Sequence, residues 1–376
     1  MLVVSVGQEL GSIVSAEQRE KFDRDGYLVI DSPGAAEEVI DDVVTDLQDL
    51  YHGGGRAEDG VFYAWHRIMD AWRISANVRA LALAPNVLAT MEELYGRKPL
   101  AFQTLNFRLG TEQPVHSDTL HFNSKPPGYM CGAWIALEDI DMDNGPVVYY
   151  PGSHKLPEIT LEDVGEGADE LQYTEFIKDL IAREQLRPEY ATIKKGQVFL
   201  WAANLLHGGS PQRDKNRTRL SQVTHFFFEG CRYWTPMGST ASQTEWRRPV
   251  WIREDFDPAR EDPRRITEIA RAAVPAGATA LVVSRGDERL VDLNGRRGWH
   301  FPRGDDGSWA GYYPADTQEV IAHLEELRAR GAEYLVLPAA AFWWLEHYEG
   351  LGDYLEARCK TVLREDDCLV FALPSA

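Results

Sequence analysis

The chain lacks several features that would assign it at once. Its four cysteines, Cys131, Cys231, Cys359 and Cys368, are widely scattered. None forms a Cys-x-x-Cys pair, which disfavours a zinc ribbon or a thioredoxin-type centre. No apolar run approaches the roughly 20 residues that a membrane-spanning helix needs. Positive charge is in deficit: 39 Lys and Arg against 59 Asp and Glu give a formal charge of −20. Nonspecific nucleic-acid binding needs a basic surface, so that class is disfavoured. A strongly anionic membrane surface is disfavoured for the same reason, although a local basic patch can override the total. The opening Met1-Leu2-Val3-Val4-Ser5-Val6-Gly7 has no basic n-region and does not read as a signal peptide. A reducing cytoplasm is the expected location. There is no internal repeat and no low-complexity tract.

What is present describes an ordinary globular protein. The 376 residues are 44% hydrophobic and 26% charged, long enough for two domains. Ser15, with Gln18 at the capping-box position, predicts a helix that leads into a short strand at Gly26-Tyr27-Leu28-Val29-Ile30. Residues 35–50 have helical period. From about residue 100 to 228 the pattern becomes short apolar runs separated by Gly, Pro, Asn and Asp, including Ala133-Trp134-Ile135-Ala136-Leu137 and Pro146-Val147-Val148-Tyr149-Tyr150. Many short strands with turn signals predict a β-barrel or double-sheet jelly roll. A polar, partly helical insert at 157–188 is either a lid over the barrel mouth or a surface excursion. Residues 236–265 read as a linker or wrapping segment. Beyond them strand, helix and strand patterns alternate: strands at 280–283, 289–293, 333–337, 361–363 and 368–371, and helices at 317–330 and 340–356. That order predicts a small α/β module. The expected organisation is thus 1–235, 236–265 and 266–376, with an α+β fold overall.

The residues that carry chemistry are His116, Asp118 and His207, in Val115-His116-Ser117-Asp118 and Leu206-His207-Gly208. Two imidazoles and a carboxylate on one face of a metal make the facial triad of non-haem Fe(II) oxygenases. Residues i and i+2 of a strand point to one side, so His116 and Asp118 can reach one ion. His207 must come from a distant strand of the same barrel. The open positions then suit a chelating co-substrate and dioxygen. Twelve residues after His207 comes Arg219-Leu220-Ser221. Alternation puts Arg219 and Ser221 on one face, where an arginine fork and a hydroxyl can hold the far carboxylate of 2-oxoglutarate. Arg217 lies on the same face and competes for that role. Gln103 and Asn106, on the preceding strand, either contact the 2-oxo acid or substrate or are satisfied strand residues. Trp134 reads as core packing, His121 as a loop residue, His154 as part of a turn, and His225 as a strand residue outside the chemistry.

Together with a Phe-x-x-x-Gly-Tyr opening in residues 22–30, residues 134–139, Asn144-Gly145-Pro146, Pro151-Gly152-Ser153-His154-Lys155 and residues 196–211, these motifs resemble the phytanoyl-CoA dioxygenase family of Fe(II)/2-oxoglutarate oxygenases. The resemblance spans roughly residues 15–230. It implies a double-stranded β-helix, iron on His116, Asp118 and His207, and 2-oxoglutarate on Arg219 and Ser221. It also implies hydroxylation of an aliphatic carbon rather than halogenation, because related halogenases lack the carboxylate that Asp118 supplies.

Residues 266–376 lie outside that resemblance. They carry Trp299-His300-Phe301-Pro302, Ala310-Gly311-Tyr312-Tyr313-Pro314 and an aromatic run from Phe342 to Tyr348. They are loosely similar to a module of bacterial polysaccharide-biosynthesis proteins. Their aromatics either form a small core or bind a glycan or a biosynthetic partner protein. The expected substrate is a small molecule, sugar-linked or a secondary metabolite. Two other readings stand beside the oxygenase: a catalytically silent scaffold, and a cupin-like metal isomerase or epimerase that ignores 2-oxoglutarate.

Overall fold

Ser15 and Gln18 form the expected capping box, each side chain bonded to the other's backbone. They open α1 (Ala16–Asp25), which Gly26 ends in the left-handed region at φ 80°. A Cβ on Gly26 would lie 2.4 Å from His154 Nδ1, so the turn residues at 151–155 pack directly on this bend. The structure, a computed structural model, describes residues 12–375 except 58, 59, 166, 241, 242, 248, 259 and 261. The opening seven residues lie outside that range. The chain divides into two compact units, Met1–Glu254 and Asp255–Ala376.

The first unit continues with β1 (Tyr27–Ile30), α2 (Glu37–Leu47), and three short strands, β2 (Gly55–Arg56), β3 (Phe62–Tyr63) and β4 (Arg67–Met69). Helices α3 (Ala76–Ala82) and α4 (Pro85–Tyr95) precede the long β5 (Pro99–Phe107). Then come β6 (Asn123–Lys125), β7 (Met130–Ala136), β8 (Val147–Tyr149), α5 (Leu161–Val164), α6 (Glu170–Arg183) and β9 (Glu189–Tyr190). The unit closes with β10 (Val198–Ala202), β11 (His207–Gly209), β12 (Ser221–Phe228) and β13 (Arg232–Trp234). A large antiparallel sheet has the order β1-β10-β7-β12-β5-β4-β3-β2, and a small one the order β11-β8-β9. These sheets are the two walls of the jelly roll. Period-2 alternation sends Phe107, Trp134, Phe199, Trp201 and Val223 inward, where they meet Tyr149 of the small sheet in one buried cluster. The opposite face of the large sheet lies under α3, where Gln222 Nε2 donates to Val78 O at 3.1 Å. Of the segment expected as linker or wrap, the part up to Glu254 belongs to this unit: Ile252 N donates to Ala101 O, and the Trp251 ring meets Tyr233 edge-on.

The second unit consists of α7 (Pro263–Ala273), β14 (Thr279–Val282), α8 (Glu288–Val291), β15 (Arg297–His300), α9 (Thr317–Ala329), β16 (Tyr334–Pro338), α10 (Trp344–His347), α11 (Leu351–Arg358), β17 (Lys360–Arg364) and β18 (Cys368–Ala372). Its sheet order is β15-β14-β16-β18-β17, with β14 parallel to β15 and β16. Leu281, Leu335 and Phe371 face α9 and α11, while Ala280, Val336 and Val370 face α7. The sheet is therefore covered on both faces, as parallel strands require. Two expectations are corrected here. Residues 289–293 are not a strand: Asp287 caps the short helix α8. The single helix expected at 340–356 is broken, because Gly350 takes φ 85° between α10 and α11. The aromatics of the tail build its core: Phe301, Trp344 and Tyr348 are buried, with Trp299, Tyr313 and Trp343 packed against them. A glycan- or partner-binding aromatic surface is not supported by that packing.

Candidate metal centre

His116 sits in extended backbone and pairs with His207 in an antiparallel bridge. The amide of each donates to the carbonyl of the other, at 2.9 and 3.0 Å. This reciprocal pair sets the two imidazoles side by side, with ring centroids 4.7 Å apart. The next residue, Ser117, caps a 3-10 turn over Asp118–Leu120 by accepting from Thr119 N. The expected strand geometry is therefore replaced by a turn, and it is the turn that brings the Asp118 carboxylate beside the imidazoles.

His116 Nε2 and His207 Nε2 each lie 3.8 Å from Asp118 Oδ1. One ligand atom from each of the three residues lies within 4.8 Å of the others. The surroundings prepare all three atoms. His116 Nδ1 is 2.9 Å from Pro114 O, and His207 Nδ1 is 2.9 Å from Leu205 O. A carbonyl only accepts, so in each neutral ring the proton sits on Nδ1 and Nε2 keeps its lone pair. Burial, with His207 adding to it, pushes the His116 imidazole down to about 4, so that ring is neutral at pH 7. Burial alone would raise the Asp118 carboxyl, but the nearby histidines and the Trp201 N–H outweigh it and hold the group below its ordinary value. Trp201 Nε1 donates to Asp118 Oδ2 at 2.8 Å, which leaves Oδ1 for an ion. A nitrogen, nitrogen, carboxylate set with open positions suits Fe(II).

The three ligands border a cavity of about 400 Å³. Arg219 lines it at 4% exposure, with its guanidinium 5.2 Å from the Phe107 ring and 5.4 Å from the Trp134 ring. Its Nε has no hydrogen-bond partner. Burial pushes its pKa down to about 10, so it remains cationic at neutral pH. A buried guanidinium in this state suits an anion from outside, such as a carboxylate. Arg217 is engaged elsewhere, with Nη1 at 2.9 Å from both carboxylate oxygens of Asp141 and a partly exposed side chain.

The remaining expected residues divide by strand parity. Gln103 lines the cavity. Ser221 shares the inward face of Arg219 but is fully buried and absent from the cavity wall, its hydroxyl 3.5 Å from Arg219 O. The expectation for Asn106 is corrected. An even-numbered residue on β5 faces the other side of the sheet, and Asn106 Nδ2 donates to Gln222 Oε1 at 3.0 Å in the layer under α3.

Sequence reasoning passed over His225, which lines the cavity. Its Nδ1 is 3.1 Å from Gln103 Oε1, and its Nε2 is 3.9 Å from Asp118 Oδ2. Burial pushes its pKa down to about 4, leaving it neutral. The signal was available: alternation from Arg219 through 221 and 223 arrives at 225. His121, Phe122 and Trp134 also line the cavity, although the first was expected only as a loop residue and Trp134 as core. The insert covers the metal loop. Tyr173, Ile177 and Leu180 of α6 pack with Leu120 and Leu206, the Tyr173 hydroxyl accepts from Ser117 N at 3.3 Å, and Glu170 reaches the cavity rim.

The family model for phytanoyl-CoA dioxygenase (PhyH) matches residues 22–219, more than half of the chain. A probable phytanoyl-CoA dioxygenase of Caenorhabditis elegans is 26% identical over 170 residues, 39% of this chain and 54% of the nematode protein. Phytanoyl-CoA dioxygenase 1 of Oryza sativa subsp. japonica is 22% identical over 288 residues, 64% of this chain and 95% of the rice protein. The match to the nematode relative thus spans about half of that protein's length. Among solved structures, EctD from S. alaskensis in its apoform superposes with a TM-score of 0.48 at 22% identity, covering 65% of this chain and 89% of that one. With these residues matched, including both members of the His-x-Asp pair, His207 and Arg219, the chain belongs to the phytanoyl-CoA dioxygenase (PhyH) family.

Proposed function

We propose that this chain is an Fe(II)- and 2-oxoglutarate-dependent oxygenase that hydroxylates an aliphatic carbon of a small molecule. The observation that carries the reading is the convergence of His116 Nε2, Asp118 Oδ1 and His207 Nε2 on a cavity whose wall holds the unpaired Arg219. The family and the donor set imply Fe(II), 2-oxoglutarate and O2 as cofactors. Iron held by this triad would activate O2, so that one oxygen atom enters succinate as 2-oxoglutarate loses CO2 and the other enters a C–H bond of the substrate.

The chain's own residues do the positioning. The Pro114 and Leu205 carbonyls fix the two imidazoles, and the Trp201 N–H fixes the carboxylate. Arg219, held between Phe107 and Trp134, grips the far carboxylate of the co-substrate. Leu105 and Val223 make the wall between anchor and metal apolar, which excludes water there. Gln103, His121 and His225 supply polar contacts beside the metal. Asp118 would supply the carboxylate ligand that related halogenases lack, which favours hydroxylation.

Anaerobic titration of the Fe(II) protein with 2-oxoglutarate tests this reading. The expected result is a metal-to-ligand charge-transfer band that His116→Ala and Asp118→Ala abolish. A silent scaffold gives neither metal binding nor band, and a metal isomerase binds metal without the band. No described helix is long and apolar enough to cross a membrane. The four cysteines are free, which supports the proposed placement in a reducing cytoplasm. The second unit is assigned no part in the chemistry.

A further inference from the structure

We propose that the substrate carries an oxyanion, a carboxylate or a phosphate, and that Arg67 binds it; the proposal rests on the oxygenase reading above. Arg67 lies on β4 and lines the same cavity. Its Nε is buried without a hydrogen-bond partner, and no acidic residue among those described pairs with its guanidinium. It is not a second copy of the co-substrate anchor. Phe107 is its direct cross-strand neighbour, and Arg219, two residues before β12, packs on that same ring. The two arginines thus share one neighbour, the Phe107 ring, on the inward face of β5.

Counting charge decides what the second arginine is for. Fe(II) and Asp118, the 2-oxoglutarate dianion and Arg219 sum to zero. Among the other carboxylates and guanidiniums that line the cavity, Glu170 is exposed at the rim, and Arg67 is the inner charge left over. A further cation stands just behind the wall: Arg247 lies 4.6 Å over the ring of Phe122, a lining residue. A neutral substrate would leave a partly buried guanidinium without a counter-charge, and a cationic one would add repulsion. The planar fork of arginine fits a carboxylate or phosphate edge-on. A chain of net charge −20 does not draw anions from a distance, so this recognition is local.

The experiment uses the full chain under argon, loaded with Fe(II) and 2-oxoglutarate. Inorganic phosphate, butyrate and the neutral control butyramide are titrated in by calorimetry, while the charge-transfer band reports co-substrate affinity. Wild-type protein is expected to bind phosphate or butyrate in preference to butyramide, and the preferred anion identifies the source. Arg67→Gln is expected to weaken that binding about tenfold or more. The band should keep its 2-oxoglutarate dependence within about twofold. Arg67→Lys should restore part of the anion affinity. If neither anion binds better than butyramide, or if Arg67→Gln weakens 2-oxoglutarate as much as the anion, the proposal is overturned. A missing band in wild-type protein sinks the oxygenase reading instead, and the phosphate and butyrate titrations still decide the subsite.

Discussion

Trp201→Phe is the most informative single change. The indole Nε1 donates to Asp118 Oδ2 at 2.8 Å, and both groups are buried. Phenylalanine keeps an aromatic ring and removes only the donor. A hydrogen bond to a charged acceptor contributes about 1.5–3 kcal/mol. The ion needs the carboxylate ionised and aimed, so most of that loss falls on the metal-bound state. At about 1.4 kcal/mol per tenfold, Fe(II) affinity should drop roughly 10- to 100-fold, the range typical of lost outer-shell partners. A second effect must be kept apart from this one. The indole lies directly on Gly132, where a Cβ would sit 2.1 Å from Trp201 Cζ2. The smaller ring leaves a void there and costs about 1–3 kcal/mol of stability. Anaerobic competition against a chromophoric chelator reads metal affinity, and denaturant melts of the metal-free protein read stability. A folded Trp201→Phe protein with Fe(II) affinity within about twofold of wild type would refute the claim that this N–H aims the carboxylate.

Other changes separate the remaining parts. Arg219→Gln should weaken 2-oxoglutarate in the charge-transfer titration by about tenfold or more, whereas Arg217→Gln, which breaks only the partly exposed pair with Asp141, should leave it unchanged. Gly132→Ala should destabilise the first unit by at least about 1–3 kcal/mol in denaturant melts, because the added methyl meets the Trp201 ring. Leu327→Ala, at a fully buried site of the second unit, should cost about 2–5 kcal/mol in that unit's own transition and spare the charge-transfer band. Removing Fe(II) with a chelator should lower the melting temperature of wild-type protein and leave His116→Ala unaffected.

The sequence made the ligands legible because His-x-Asp with a distant histidine is a pattern of residue types, and such patterns survive ignorance of local geometry. The geometry itself was less visible. The turn at Asp118 depends on Ser117 capping Thr119, a bond that strand periodicity does not register. Alternation was applied to Arg219 but stopped short: the same count admits His225 and separates Gln103 from Asn106. Arg67 could not be placed at all, since β4 has three residues and shows no period of its own. In the second unit β15 went unread because Arg297 and Gly298 give it no apolar alternation, while Leu290 and Val291 gave α8 the look of a strand.

The reciprocal amide bonds between His116 and His207 join two stretches that are remote along the chain. Each imidazole is oriented by a carbonyl of its own stretch, but only that splice brings His207 beside His116 and Asp118 to complete the set. Iron captured there would clamp a very long loop shut and add its binding energy to the jelly roll. Iron starvation would then do more than silence such a protein: it would also make the barrel easier to open and digest.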